Sequence, residues 1–172
     1  MKSIQAVSYP VHFQEKGYEA LSNLINENNY SSVFILVDEN TKKHCLEIIH
    51  FNTVFVLIEI KSGEKNKNIE TCQTIWSKLL KNQADRNALL INLGGGVICD
   101  MGAFCASTYK RGIDFINIPT TLLSQVDASV GSKTGIDFKN QKNMIGLFSE
   151  ANAVIIDSVF LKTLPQREIL SG

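Results

Sequence analysis

Asn87-Ala-Leu-Leu-Ile-Asn-Leu93 runs without a break into Gly94-Gly95-Gly96, and Val97-Ile-Cys-Asp100 then opens a stretch of small residues that reaches Tyr109. An apolar run of strand length, a glycine bend and a segment able to pack closely as a helix make one βα unit. Upstream, Ser32 to Asp38 (SVFILVD) is a second buried-strand run, and Glu39 to His50 follows with Cys45, Ile48 and Ile49 at helical spacing. Asn52 to Ile60 (NTVFVLIEI) is the next strand, broken by Ser62-Gly63. Lys67 to Lys81 then places Ile69, Cys72, Ile75, Trp76 and Leu79 at helical spacing. Downstream, Ile113 to Ile118 is a short strand stopped by Pro119, and Thr120-Thr121 stands where a helix N-cap belongs, ahead of Leu122, Leu123 and Val126. Ala128 to Met144 is polar and reads as a functional loop, and Ala153 to Asp157 as a last strand. Pro165 opens a helix that Gly172 cuts off, the mark of a truncated chain. Strands alternating with helices predict an α/β fold, a mostly parallel sheet flanked by helices.

Composition narrows the function classes. The 172 residues are 44% hydrophobic and 20% charged, with 17 Lys+Arg against 17 Asp+Glu. This suits one globular domain that buries about 70% of its unfolded surface. A net charge of zero lacks the basic footprint that recruits phosphates non-specifically, so nucleic acid is not an expected partner. The longest apolar runs, Val54 to Ile60 and Val33 to Val37, fall short of the roughly 20 residues that span a bilayer. Met1-Lys2-Ser3-Ile4-Gln5 leads to Tyr9-Pro10 without an apolar leader core, so the expected address is cytoplasmic. Cys45, Cys72, Cys99 and Cys105 form no C-x-x-C and are read as reduced, mostly buried thiols.

The glycines lend themselves to phosphate binding, because the backbone comes close to a diphosphate and the helix N-terminus favours an anion. By itself the motif is weak. Gly94-x-Gly96-x-x-Cys99 has Cys where the dinucleotide fingerprint has Gly, and the acidic residue about 20 positions later is missing. Asp38, ending a strand, suits the hydroxyls of a ribose, or caps the next helix, or does both. In Ser62-Gly-Glu-Lys-Asn-Lys67, Glu64 and Lys67 either hold a nucleoside or are solvated turn charges. Asp127, Lys133, Lys142 and Asn143, with Arg111 upstream, suit a phosphorylated, polyhydroxylated substrate or form a solvated basic loop. His12, His44 and His50 form no ligand motif, so no metal site is expected, and Ser129 and Ser132 lack a hydrolase context.

Several blocks together resemble 3-dehydroquinate synthases. These are Leu93-Gly-Gly-Gly-Val-Ile-Cys-Asp100, Tyr109-Lys-Arg-Gly-Ile-Asp-Phe115, Ile118-Pro-Thr-Thr-Leu-Leu-Ser-Gln-Val-Asp-Ala-Ser-Val-Gly131, Lys142-Asn-Met-Ile-Gly146 and Leu161-Lys-Thr-Leu-Pro-Gln-Arg-Glu168, in the family's order. The resemblance spans the chain and is densest from Leu93 to Gly172. It implies a Rossmann-like, NAD-binding N-terminal domain over residues 1–172, in an enzyme that turns a seven-carbon phosphorylated keto acid into a carbocycle and releases phosphate. It further implies that NAD oxidises a substrate hydroxyl transiently, acidifying the neighbouring C–H.

Position by position, the resemblance gives Asp38 the adenosine ribose, and Glu64 and Lys67 the nucleoside end. Gly95, Gly96, Val97 and Asp100 line the diphosphate and nicotinamide side. Thr120, Thr121, Leu123, Lys133, Lys142, Phe160, Leu161, Lys162, Thr163, Leu164 and Glu168 match further cofactor contacts. Asp127, Lys133 and Asn143 match substrate contacts, and Arg111 an arginine that reaches substrate phosphate across a homodimer interface. Cys99 and Ser132 depart from the family's usual glycines, and Gly135-Ile-Asp-Phe-Lys139 replaces a stretch that often carries His-Pro. The family's divalent metal, zinc or cobalt, is held by a glutamate and two histidines from a helical C-terminal domain, none of them in these residues. The chain alone is therefore expected to be inert. A sibling sugar-phosphate cyclase, a metal-dependent polyol dehydrogenase and a stand-alone nucleotide-binding module are the alternatives.

Overall fold

Strands buried on both faces read as unbroken apolar runs, and the two longest such runs lie side by side in the sheet. Ser32–Asp38 (β3) is buried from Val33 to Val37, and Ala88–Gly94 (β5) is buried throughout. The computed structural model describes residues 3–5 and 9–172, so Met1 and Lys2 of the N-terminal reading lie outside the described residues. The other strands of this sheet are Ile4–Gln5 (β1), Pro10–Phe13 (β2), Val56–Ile60 (β4), Asp114–Pro119 (β6) and Ala153–Ile156 (β9). Their order is β1-β2-β9-β6-β5-β3-β4, and every described pairing is parallel except β1 with β2.

Alternation along each strand sends side chains to two cores. Phe34 and Leu36 join Cys72, Ile75 and Leu79 of α3 (Ile69–Lys81) and Ile98, Met101 and Cys105 of α4 (Gly96–Thr108). Val33, Ile35 and Val37 face the opposite layer, with Leu21 of α1 (Gln14–Asn28), Cys45, Ile49 and Phe160. The chain steps outward from β3 to β4, then returns past β3 to β5. Between the ends of β3 and β5 the winding reverses, which is where open α/β sheets form a crevice outside their carboxyl ends. All four cysteines are free and buried, as expected.

Three expectations need correction. The helix after β3 covers only Glu39–His44 (α2), and the chain tightens into a 3-10 turn at Leu46–Ile48. Thr41, Cys45 and Ile49 stay buried at a spacing of four although the backbone changes. Pairing of β4 begins only at Val56, because Val54 before it is 93% exposed. The supposed loop from Ala128 to Met144 contains most of a hairpin, Lys133–Phe138 (β7) with Gln141–Phe148 (β8). Its inner face supplies Ile136, Ile145 and Leu147 to the α4 core, while Phe138, Met144 and Phe148 are exposed and the residues around the turn are polar, so no clean alternation marks the strands. Lys139 and Asn140 turn it with φ of 47° and 63°, the double left-handed geometry of a two-residue hairpin turn. Gly135 and Gly146 let the two backbones meet: a Cβ on Gly146 would sit 2.1 Å from the Thr134 carbonyl oxygen.

Candidate functional site

At the crevice, β5 ends at Gly94 and Gly95 stands as the N-cap of α4 with no side chain capping it. The first amides of a 13-residue helix therefore face the carboxyl edge of the sheet without a side-chain acceptor. A Cβ on Gly94 would lie 2.5 Å from Ile98 and one on Gly95 2.9 Å from Thr121 Cγ2, so these two glycines are required for packing. A Cβ on Gly96 would meet only Ala128, at 3.6 Å. Thr120 N–H donates to the Gly94 carbonyl at 2.9 Å, fixing the next strand end beside the bend. Thr121 and Ser124 exchange backbone and hydroxyl bonds, so Thr121 caps the turn that continues as a π-helix over Ser124–Ala128. Cys99 fits beneath the bend, its thiol donating to the Gly94 carbonyl at 3.6 Å, and burial pushes that thiol well up. Asp100 lies in the second turn of α4.

Lys67 is the centre of the site. It is 4% exposed, and its Nζ donates to Asp100 Oδ2 at 2.5 Å and to Asn143 Oδ1 at 2.7 Å. Two of the predicted positions, 33 and 76 residues away in sequence, are thus joined by one ammonium. Burial raises the Asp100 carboxyl above its usual range. The Lys67 ammonium opposes that shift, and the charges of Glu64 and Asp127 add to it. Glu64, in the turn Glu64–Asn66, pairs with Lys142 of β8 at 3.4 Å. Glu64, Lys67, Asp100, Asp127, Lys142 and Asn143 therefore converge, whereas a set of independent solvated charges would be dispersed.

Asp38 faces the same crevice from the end of β3. Its Oδ1 accepts the Asn40 and Thr41 N–H groups at 2.9 and 2.8 Å, and Thr41 Oγ1 accepts the Asp38 N–H at 3.0 Å, a full capping box. Oδ2 has no partner among the described residues, so capping leaves one carboxylate oxygen for a ligand. Glu39, which sequence reasoning passed over, holds the adjoining loop. It accepts the Ser62 N–H at 2.9 Å and the Ser62 hydroxyl at 2.7 Å. Nothing in the local sequence marks this pair, since its partners come from different βα units.

The remaining predicted positions are spread out. Lys133 is exposed at the start of β7, and its Nζ has no partner among the described residues. Phe160 is 1% exposed, with its ring in the core, which leaves only its backbone to line a site. Leu161, Lys162 and Thr163 share its 3-10 turn (Ser158–Thr163), Leu164 follows, and Glu168 lies in α5 (Gln166–Leu170). The last residue, Gly172, is packed against Leu122 and Leu123, so this segment runs along the capped turn. Arg111 is elsewhere. It follows the C-terminal end of α4, some 20 Å from the glycines along the helix, beside an open hollow of about 830 Å³ lined by Asp85, Arg86, Asn87, Thr108 and Lys110. Among the described residues no group of three or more His, Cys, Asp or Glu could hold a metal ion.

A doubly wound sheet that gathers a glycine bend, a strand-end carboxylate and a buried ion pair at its switch point belongs to the Rossmann-like α/β class. The comparisons are specific within it. Residues 57–171 match the family model for the N-terminal part of 3-dehydroquinate synthase, and the chain belongs to that family. It is 44% identical over 155 residues to a 3-dehydroquinate synthase of Parabacteroides distasonis, covering 88% of this chain and 44% of that protein. It is 40% identical over 174 residues to one of Ruminiclostridium cellulolyticum, covering 96% and 47%. Among solved structures, 2-epi-5-epi-valiolone synthase from Streptomyces hygroscopicus, with NAD+ and Zn2+ bound, superposes with a TM-score of 0.81 at 29% identity, covering 98% of this chain and 48% of that one. The chain spans about half the length of the curated relatives it matches.

Proposed function

We propose that these residues form the NAD-binding domain of a 3-dehydroquinate synthase, a carbon–oxygen lyase acting on phosphates. It would convert 3-deoxy-D-arabino-heptulosonate 7-phosphate to 3-dehydroquinate and phosphate in the shikimate route to aromatic amino acids. The observation that carries the reading is the buried Lys67 ammonium, which binds Asp100 and Asn143 beside an uncapped helix N-terminus. The dinucleotide fits the residues present. A methyl on Gly96 would protrude into the crevice where a diphosphate would lie, and the open oxygen of Asp38 is available to ribose hydroxyls. When bound, NAD would supply a reversible hydride acceptor for a substrate hydroxyl.

The chain's own residues bind and orient. The α4 amides and the helix dipole would receive the diphosphate. Glu64, Lys67, Lys142 and the segment Leu161 to Leu164 with Glu168 would hold the rest of the cofactor. Asp127, Lys133 and Asn143 would grip the phosphorylated, polyhydroxylated substrate by charge-assisted bonds. Arg111, on the far edge, would reach substrate only from a second copy in a homodimer. The described residues do not fit a divalent metal, so its ligands would lie in the half of the protein that the chain does not span. The proposed address is cytoplasmic, and no helix here is long and apolar enough to cross a membrane among the described residues.

Two measurements test the reading. Calorimetric titration of the chain with NAD should give one site, and Lys67→Met should abolish it. Phosphate release from the keto acid should appear with the complete protein and not with these 172 residues alone. No heat with NAD at millimolar concentration, or turnover by the chain alone, would refute it. Running the complete protein on sibling cyclase substrates would separate the related activities.

A further inference from the structure

Asp137 ties together the backbones on which the cluster depends. Across the hairpin, Ile136 pairs with Ile145 and Phe138 with Gln141. Asp137 therefore stands alone opposite Lys142, Asn143 and Met144, and the surplus makes a bulge. Within it Asn143 takes a left-handed φ of 50°. Asp137 Oδ1 accepts the Asn143 N–H at 2.8 Å, while the Asp137 N–H donates to the Lys67 carbonyl at 2.8 Å. The same two partners meet again through their side chains, Lys67 Nζ donating to Asn143 Oδ1 at 2.7 Å. The bulge also turns Lys142 toward Glu64. A regular ladder would send alternate residues of β8 to opposite faces, so Lys142 and Asn143 could not both serve this crevice without the surplus.

We infer that Asp137 is a positioning residue: its carboxylate builds the bulge that aims Asn143 at Lys67 and Lys142 at Glu64, and so sets the geometry of the cofactor crevice. The inference rests on the NAD-binding reading above. Its chemistry asks for an acceptor at Oδ1 and not for a charge. Asp137→Asn should therefore preserve the geometry, whereas Asp137→Ala should lose it.

The test uses the complete protein and reads two quantities, NAD affinity by calorimetry and hydrogen exchange of the Asn143 amide by NMR. Asp137→Ala should weaken NAD about tenfold, the cost of losing the geometry that one bond to a charged acceptor holds, and expose the Asn143 amide to fast exchange, with the melting temperature lowered by no more than the few degrees that one such bond is worth. Asp137→Asn should stay within about threefold of wild type in both readouts. The double variant Asp137→Ala/Asn143→Ala should bind no worse than Asn143→Ala, because both act through one contact. Unchanged affinity in Asp137→Ala, equal damage in Asp137→Asn, or additive losses in the double variant would overturn the proposal. If the wild-type protein takes up no NAD, the functional reading fails separately and exchange decides the geometry. An Asn143 amide as protected in Asp137→Ala as in wild type then overturns it.

Discussion

Replacing Gly96 by alanine should move stability and cofactor binding in opposite directions. Its φ is not in the left-handed region, so an L side chain meets no backbone penalty. The added Cβ would touch only Ala128, at an ordinary 3.6 Å, whereas Gly94→Ala or Gly95→Ala would collide with Ile98 or Thr121. Gly96 is also the first residue of α4, where alanine lowers the unfolded chain's entropy and favours helix by about 0.4–1 kcal/mol. For a domain of this size that corresponds to a rise in Tm of about 1–4 °C. In the proposed diphosphate cradle the methyl would take up space at the helix N-terminus, and displacing the diphosphate from even one amide would lose a charge-assisted bond of about 1.5–3 kcal/mol. NAD affinity should then fall about tenfold to a hundredfold. Scanning calorimetry and NAD titration on the same preparations check both. Wild-type affinity in Gly96→Ala would mean that the ligand does not lie on the α4 amides. A Tm several degrees lower would mean that the packing around Gly96 is tighter than described.

Lys67→Met should cost about 3 kcal/mol in urea denaturation, because it leaves Asp100 in the crevice without its cation. Asp38→Ser should keep Tm nearly unchanged, since serine also caps α2, yet weaken NAD at least tenfold because its hydroxyl is too short to reach a ribose. Asp38→Ala should lose about 1 kcal/mol as well. The Asp100 carboxyl is raised in the folded state, so protonation favours folding. Its contribution is full below the ordinary carboxylate pKa and is lost as pH rises through the raised value. Wild type should therefore gain stability relative to Asp100→Asn as pH falls from neutral into the carboxylate range. A difference that is flat or reversed in denaturation at several pH values would contradict the burial of this group.

Much of this was legible because β3 and β5 are buried on both faces and so appear as unbroken apolar runs next to Asp38 and the glycines. The turn start at Thr121 could be read because its side chain caps its own backbone, whereas the helix read from Lys67 begins at Ile69, capped by Asn68. The hairpin was hidden: a bulge and exposed Phe138, Met144 and Phe148 break the apolar–polar alternation, and its Lys139-Asn140 turn lacks the glycine that usually marks such a turn. Of the site, the individual charges could be named, but their meeting could not. Lys67, Asp100 and Asn143 come from three separate elements, and only the return of each loop to one sheet edge unites them. Glu39 acts on a backbone group in another βα unit, and Asp137 joins Asn143 to the distant Lys67 only through the bulge of the hairpin, which leaves no local pattern to find.

The order of the sheet has a consequence for synthesis. β9, near the end of the chain, lies between β6 and β2, pairing Asn117 with Val154 on one side and Val11 with Val154 on the other. While a ribosome has yet to release Ala153–Ile156, the first segment has no place to dock and β6 presents an open ladder of amides and carbonyls. Until that strand is made and slots in between them, the nascent polypeptide carries an adhesive edge open to pairing with its neighbours.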